Sequence, residues 1–305
     1  MRKFLISLAL LPFLVTLCGA QTIVDNGVSE IPFSFENGLV IVGAKIKGNI
    51  PVQVVLSTGL EHSVIDTGLL EKYKLQAYYA WDGPNLGTPT NSAYSFTNVS
   101  DVSVGGSKSK DLSMRFGSMA KVSQAATREI FAALGADFFE GQIVQFDFKK
   151  SVVRFLARSP ADARKDKKDI PGAGANVVLR MAQKDSNPYT KTFVLPIVGA
   201  VTINGKEVKL LLDTGRATPL AFSSSSAKKL GFTLPSENDG PRTDKADSLD
   251  LGGYKMTEVP VMLFAKGTGA DQSLSKYGVV AGTMFLKHFL VTFDFQNKVV
   301  LLERI

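Results

Sequence analysis

The chain contains the same sequence unit twice, and this repeat restricts the possible folds more than any other feature. Ile-Val-Gly-Ala stands at residues 41–44 and again, letter for letter, at residues 197–200. Further segments match in the same order along the two halves: 57–59 with 213–215, 133–135 with 280–282, and 146–148 with 293–295. Ordered matches of this kind indicate two copies of one structural unit. Two copies are too few for a solenoid, so we expect two lobes related by a pseudo-twofold axis.

The most informative segment is residues 208–222, in the second copy. An apolar run ends at Asp213, then Thr214 and Gly215 follow, and a second apolar segment continues. This pattern predicts a strand, a short turn that carries the carboxylate, and another strand. Glycine in such a turn allows close approach of the backbone. An isolated Asp-Thr-Gly is common in ordinary turns, but here the first copy carries Ser-Thr-Gly at the matching place.

The two halves resemble the lobes of the aspartic peptidases, the pepsin and retropepsin group. The family pattern is an apolar pair before Asp-Thr-Gly, a later apolar pair before Gly, and then an apolar-Asp-apolar strand. The second half matches it at residues 211–215, 279–282 and 293–295, and the first half matches except that Ser57 replaces the Asp. The resemblance implies a mostly β, two-lobed aspartic-peptidase-like fold with a peptide-width cleft between the lobes.

The resemblance also implies that the two glycine-containing loops form the candidate catalytic site. Its residues are Ser57, Thr58 and Gly59 in the first copy and Asp213, Thr214 and Gly215 in the second. Aspartic peptidases use two facing carboxylates that share a proton and hold a water. A serine hydroxyl stays neutral near pH 7 and does not replace the acid that protonates the substrate carbonyl. We therefore expect any hydrolysis centred on the second loop to be weak or specialised.

Other charged residues near the loops leave alternatives open. Three carboxylates are close enough in sequence to substitute for the missing one: Glu61, Asp66 and Asp137. The default position for such side chains is on the surface. Arg216 follows the second loop directly, and it either reaches the carboxylate of Asp213 or faces solvent.

A hairpin flap over the cleft is expected at residues 81–97, which are rich in Gly, Pro, Asn and Thr. In aspartic peptidases the first lobe carries such a flap, often with a Tyr at its inner face. We predict Tyr94 and Trp81 as substrate-binding residues of the flap, with Tyr79 as a further candidate. A surface hairpin without a ligand is the alternative.

Residues 1–20 have the pattern of a signal peptide. Two basic residues precede an apolar run at residues 4–17, and small residues precede the expected cleavage after Ala20. We therefore expect export to the periplasm or the medium. A lipid anchor on Cys18 is a less favoured alternative. Since Cys18 is the only cysteine, no disulfide is expected in the exported protein.

The repeat also divides the chain into domains. We expect a first lobe over residues 21–157, a linker rich in Pro, Gly and charge over 158–176, and a second lobe over 177–305. Within the first lobe, residues 123–134 are the best candidate for a helix.

Composition and spacing argue against several kinds of partner. The net charge is +7, but the densest charged run, residues 158–169, mixes acids with bases, so we expect no nucleic-acid partner. His62 and His288 are far apart and have no metal-ligand spacing around them, so we predict no metal and no cofactor. We expect a monomer without a membrane contact after removal of the signal.

Three functions follow from these observations. The first is an exported protein that binds an extended polypeptide in the cleft and hydrolyses it weakly through Asp213. The second is a catalytically inactive pseudopeptidase that binds peptides or proteins by strand pairing. The third is a pair of chains that brings together two Asp213 loops, which we disfavour because each loop should already face the Ser57 loop of its own chain.

Overall fold

The computed structural model describes residues 23–25, 28–80, 94–161, 177–182 and 193–305. Each of two lobes is built around a closed barrel of six strands, and strands are numbered in chain order. In the first lobe the barrel strands are β4 (Leu39–Ile46), β5 (Ile50–Leu56), β6 (Val64–Asp66), β8 (Tyr94–Val104), β9 (Ser107–Gly117) and β10 (Ala132–Leu134). In the second lobe they are β14 (Ile197–Ile203), β15 (Lys206–Leu212), β16 (Leu220–Phe222), β17 (Arg242–Leu251), β18 (Tyr254–Leu263) and β19 (Val279–Ala281).

The two barrels have the same strand order. The first runs β4-β5-β10-β6-β9-β8 and is closed by the pairing of Lys45 in β4 with Ser103 in β8. The second runs β14-β15-β19-β16-β18-β17 and is closed by the pairing of β14 with β17. Even the parallel pairs correspond, since β5 lies beside β10 as β15 lies beside β19. This agreement confirms the predicted mostly β, two-lobed fold with an internal pseudo-twofold repeat.

A third sheet joins the lobes, in the order β1-β2-β12-β11-β20-β21-β13. Its strands are β1 (Ile23–Asp25), β2 (Val28–Pro32), β11 (Ile143–Asp147), β12 (Val152–Phe155), β13 (Val177–Arg180), β20 (Phe289–Asp294) and β21 (Val299–Arg304). At its centre Gln145 in β11 lies opposite Thr292 in β20, and Gln145 Nε2 donates a hydrogen bond to Thr292 Oγ1 at 3.0 Å. The repeat makes these two positions equivalent, so the pseudo-twofold axis passes between them.

Burial of apolar side chains on the inner faces of the strands holds this arrangement together. One continuous core extends through both barrels and the joining sheet, with fully buried residues such as Val54 in the first lobe and Leu210 in the second. The rings of Phe146 and Phe293 meet edge to face across the joining sheet, with centroids 5.8 Å apart. These two phenylalanines are equivalent in the repeat, so the core itself follows the symmetry.

The helices are short: Gly68–Lys72, Ala120–Ala126, Ala136–Phe139, Ser224–Lys229, Gly269–Ser275 and Thr283–Leu286. The prediction of one helix over residues 123–134 was wrong, because the helix ends at Ala126 and Ala132–Leu134 form β10. Strand β10 pairs with both β5 and β6, and this tertiary pairing overrides local helix propensity. None of the helices in the described ranges is both long and apolar enough to cross a bilayer.

Two further strands border the first barrel. Strand β3 (Ser34–Glu36) pairs with β4, and β7 (Ala77–Ala80) pairs with the start of β8, where Ala80 lies opposite Tyr94. Strands β7 and β8 form the base of the hairpin that is expected to carry the flap. Trp81 and the side chain of Tyr94 lie outside the described part, as do the predicted signal peptide and most of the linker, so those predictions stay predictions.

A buried arginine ties three strands of the joining sheet together. Arg154 in β12 is 2% exposed, and its guanidinium donates to Glu30 in β2 at 2.6 Å, to the side-chain oxygen of Gln145 at 2.9 Å and to Asp147 at 3.2 Å. Asp147 also accepts the backbone N–H of Lys150 and so closes the turn after β11. The positive charge of Arg154 therefore offsets the negative charges of two carboxylates, those of Glu30 and the buried Asp147.

Replacing this arginine should destabilise the fold strongly. Arg154→Met leaves Asp147 buried without its charged partner, and we expect the free energy of unfolding in urea to fall by about 3–5 kcal/mol. The matched control is Arg180→Met, on an exposed position of β13, which should change it by no more than about 0.5 kcal/mol. Equal effects of the two substitutions would contradict the structural role assigned to Arg154.

Candidate active-site cleft

The two glycine-containing loops meet at the boundary between the lobes. Each loop follows a barrel strand, β5 or β15, and is held in the same way. The backbone N–H of Ser57 donates to the carbonyl of Leu134 at 2.9 Å, and the N–H of Asp213 donates to the carbonyl of Ala281 at 2.9 Å. The loops therefore have equivalent positions in their barrels.

Reciprocal threonine hydrogen bonds join the loops to each other. Thr58 Oγ1 donates to the carbonyl of Leu212, and Thr214 Oγ1 donates to the carbonyl of Leu56, each at 2.8 Å. Each hydroxyl also accepts the backbone N–H of the opposite threonine at 3.1 Å. Both threonines are fully buried. The four bonds obey the pseudo-twofold symmetry and fix the distance between the loops.

The glycines are required by close packing between the loops. A Cβ placed on Gly59 would lie 2.5 Å from Cγ of Asp213, and a Cβ on Gly215 would lie 2.3 Å from Oγ of Ser57. Real Cβ atoms do not approach other heavy atoms this closely, so any larger residue would push the loops apart. Each glycine therefore makes room for a side chain of the other lobe, Gly59 for that of Asp213 and Gly215 for that of Ser57.

The loops bring Ser57 and Asp213 into direct contact. Ser57 Oγ donates to Asp213 Oδ1 at 2.9 Å, and the same oxygen accepts the backbone N–H groups of Gly59 at 3.2 Å and Gly215 at 2.8 Å. Three donors therefore converge on Oδ1, whereas Oδ2 accepts no hydrogen bond from a described residue. Ser57 is buried and Asp213 partly exposed, so the second carboxylate oxygen is the acceptor available to a ligand.

The three candidate substitutes for a second carboxylate are all bound elsewhere. Glu61 forms an ion pair of 3.2 Å with Lys276 of the opposite lobe. The two oxygens of Asp66 each accept a backbone N–H at 2.8 Å, one of them from Met119. Asp137 accepts the backbone N–H and the hydroxyl of Ser63. No described carboxyl group forms a hydrogen bond with Asp213.

Asp137 belongs to a buried hydrogen-bond network that lies just after the first glycine-containing loop. Burial raises the pKa of its carboxyl above the usual range, while hydrogen bonds from Ser63 and Phe138 and the nearby charge of His62 oppose this rise. The Ser63 hydroxyl in turn accepts the backbone N–H of Gly135 at 2.9 Å. The network therefore holds the chain after the first loop against the glycine that precedes the helix Ala136–Phe139.

Arg216 does not reach the carboxylate. Its Nη2 donates to Ser273 Oγ at 3.3 Å, in the helix Gly269–Ser275 of its own lobe. The alternative in which Arg216 pairs with Asp213 is therefore wrong for this structure. The carbonyl of Arg216 accepts the backbone N–H of Thr283 at 2.8 Å, just as that of Leu60 accepts the N–H of Ala136 at 2.7 Å in the first lobe.

The two loops form part of the floor of a cleft of about 1360 Å³ between the lobes. Apolar side chains of the first lobe provide one wall, among them Leu39, Val55, Val64, Met119 and Val122. Charged residues of both lobes also line the cleft: Glu61, Arg115, Lys121, Arg216 and Lys276. Burial lowers the pKa of Lys276, but contacts with Tyr277 and Glu61 together outweigh this effect and raise the pKa above its usual value.

Several lining residues were not identified from the sequence. The segment 119–125, which enters the wall with Met119, Lys121, Val122 and Ala125, carries no motif of its own. The same holds for Lys276 and Tyr277, which follow the helix Gly269–Ser275. The one sequence signal for these lining residues was their position, since they precede the repeated segments 133–135 and 280–282. Among the described residues, no group of His, Cys, Asp and Glu side chains could hold a metal ion.

No protein-family model matches the chain, and no curated protein was found to match it. The fold and the site therefore define the class of this protein only coarsely. Its two barrels and the sheet that joins them are compatible with the two-lobed architecture of the pepsin group.

The threonine bonds between the loops should be essential for stability. Thr214→Val keeps the shape of the side chain but leaves the carbonyl of Leu56 and the N–H of Thr58 buried without a partner. Each such group costs about 1–3 kcal/mol, so we expect the free energy of unfolding in urea to fall by at least about 2 kcal/mol.

The matched control for this substitution is Thr257→Val, at an exposed position of β18. Valine suits a strand, so the control should change the unfolding free energy by no more than about 0.5 kcal/mol. A Thr214→Val protein as stable as the control would contradict the role of the buried bonds.

Proposed function

We propose that this protein is a relative of the aspartic peptidases that binds an extended polypeptide in the interlobe cleft and has lost the paired carboxylates of the hydrolytic mechanism. The observation that carries the proposal is the contact of Ser57 Oγ with Asp213 Oδ1 at 2.9 Å. The hydroxyl stands where a peptidase of this group has its second carboxylate. The two-barrel fold and the reciprocal threonine bonds support the relationship.

The chemistry of the loops explains why hydrolysis is not favoured. In a peptidase dyad, one carboxylate takes a proton from the bound water while the other, as an acid, hydrogen-bonds the substrate carbonyl. Ser57 is neutral and donates its hydrogen to Asp213, so the pair holds one base and no carboxylic acid. Glu61, Asp66 and Asp137 do not restore the acid, because each is engaged by other groups.

The dimensions of the cleft support an extended polypeptide as ligand. A volume of about 1360 Å³ exceeds the roughly 300–1,000 Å³ that is typical of small-molecule sites. One of its walls is apolar, and Phe96 of strand β8 lies at the side where the hairpin with β7 begins. An extended ligand could therefore place alternate side chains against the wall and its backbone near a strand.

A second candidate function is slow hydrolysis of peptides with Asp213 as the only carboxylate. The retained geometry of both loops favours it, because Gly59, Gly215 and both threonines keep the positions that a dyad would need. We also propose export, directed by residues 1–20.

Peptide binding can be tested with an uncharged octapeptide that alternates Val or Leu with Gln or Thr. We expect it to bind with a Kd in the range of about 1–100 μM, measured by isothermal titration calorimetry. Ala125→Arg, which fills the cleft from the helix Ala120–Ala126, should weaken binding by about tenfold or more. Ala120→Arg is the matched control, since this exposed residue of the same helix does not line the cleft. Equal affinities of the two variants, or no binding by the wild type, would overturn the proposal.

Restoring the second carboxylate should restore catalysis. We expect Ser57→Asp to hydrolyse peptides at acidic pH with a bell-shaped dependence of the rate on pH, because two facing carboxylates share one proton. Adding Asp213→Asn should abolish this activity, and wild-type protein should show little of it. Chromatographic detection of cleaved peptides gives the rates. Wild-type cleavage that Asp213→Asn abolishes and Ser57→Asp does not increase would instead support the second candidate function.

A further inference from the structure

The described residues that line the cleft carry an excess of positive charge. Four are cationic, Arg115, Lys121, Arg216 and Lys276, whereas only Glu61 and Asp213 are anionic. The difference, four minus two, is a formal charge of +2. Concave surfaces of one charge sign attract ligands of the opposite sign, because their low-dielectric walls concentrate the field.

The two glycine-containing loops contribute one acidic group to the cleft. The hydroxyl of Ser57 is neutral, and the carboxylate of Asp213 accepts three hydrogen bonds on Oδ1, two of them from backbone N–H groups. The loops therefore contribute no negative charge beyond that of Asp213, which is already counted in the formal charge of +2.

Glu61 partly neutralises the excess. Its carboxylate lies 3.2 Å from Nζ of Lys276 and bridges the two lobes at the cleft. The side chain of Glu61 is 18% exposed and that of Lys276 is 54% exposed. A ligand carboxylate could therefore reach the lysine from solvent and compete with the internal partner.

We propose that the cleft selects polypeptides with acidic side chains on both sides of a short apolar segment, and that Glu61 occupies Lys276 until a ligand carboxylate replaces it. This inference rests on the proposed peptide-binding function. The apolar wall takes the central side chains. Lys121 binds an acidic residue on the side of the first lobe, and Arg216 and Lys276 bind one on the side of the second.

The charge preference can be measured with three octapeptides that share one apolar centre and carry two Glu, two Gln or two Lys residues as flanks. At low ionic strength we expect the Glu peptide to bind about three- to twentyfold more tightly than the Gln peptide, and the Lys peptide to bind most weakly. Raising the salt from about 0.05 M to about 0.5 M should largely remove these differences, because salt screens exposed charges.

Substitutions of charged residues in the cleft test which of them cause the preference for acidic peptides. Lys121→Gln and Lys276→Gln should each weaken binding of the Glu peptide about two- to fivefold, whereas Glu61→Gln should strengthen it by a similar factor. Lys209→Gln and Glu207→Gln make the same charge changes at exposed positions of β15 outside the cleft, and should leave the Kd unchanged.

The outcomes separate this inference from the function on which it rests. Equal binding of all three peptides would overturn the charge preference and leave peptide binding intact. Failure of all three to bind would overturn the proposed function. Tighter binding of a single-stranded oligonucleotide than of the Glu peptide would replace the acidic polypeptide by a nucleic acid as the ligand.

Discussion

The reciprocal hydrogen bonds between Thr58 and Thr214 are the constraint on which the site depends. They lie in a buried region, where an unpaired carbonyl or N–H group is costly, so the two loops have no favourable alternative separation. Once this distance is set, the side chains at positions 57 and 213 must meet. The chemistry of the site therefore changes with the residue at position 57, while the framework that presents it stays the same.

The symmetry of the fold makes the points of divergence informative. Both lobes keep the strand order, the glycines and the threonines, which serve the packing of one lobe against the other. They differ where side chains face the cleft or its edge, as in Ser57 against Asp213, or Leu60 against Arg216. Positions at which the two copies differ in this way are not constrained by the symmetric packing of the lobes. At the cleft, these positions supply charged and polar side chains.

Much of the fold could be predicted from the sequence because the repeat reports tertiary structure directly. Two copies of one apolar pattern imply two lobes, and the matching loops imply the contact between Ser57 and Asp213. Local reasoning failed at residues 123–134, where β10 is a strand only because β5 and β6 lie on either side of it. Comparison with Val279–Ala281 in the second copy was the signal for that strand. The partners of Glu61 and Arg216 could not be predicted. Long side chains can reach several neighbours, and only the folded lobes bring those neighbours together.

The sheet that joins the lobes has a consequence for the order in which the chain can fold. Strand β11 ends at Asp147, but its partner β20 begins 142 residues later, at Phe289 (289 minus 147). Until β20 emerges from the ribosome, the edge of β11 has unpaired backbone groups, and the ring of Phe146 has no Phe293 to cover it. The first barrel can close early, but the hairpin of β11 and β12 that follows it keeps an exposed strand edge of the kind that pairs with other chains. A nascent or truncated first lobe is therefore the form of this protein most in need of a chaperone.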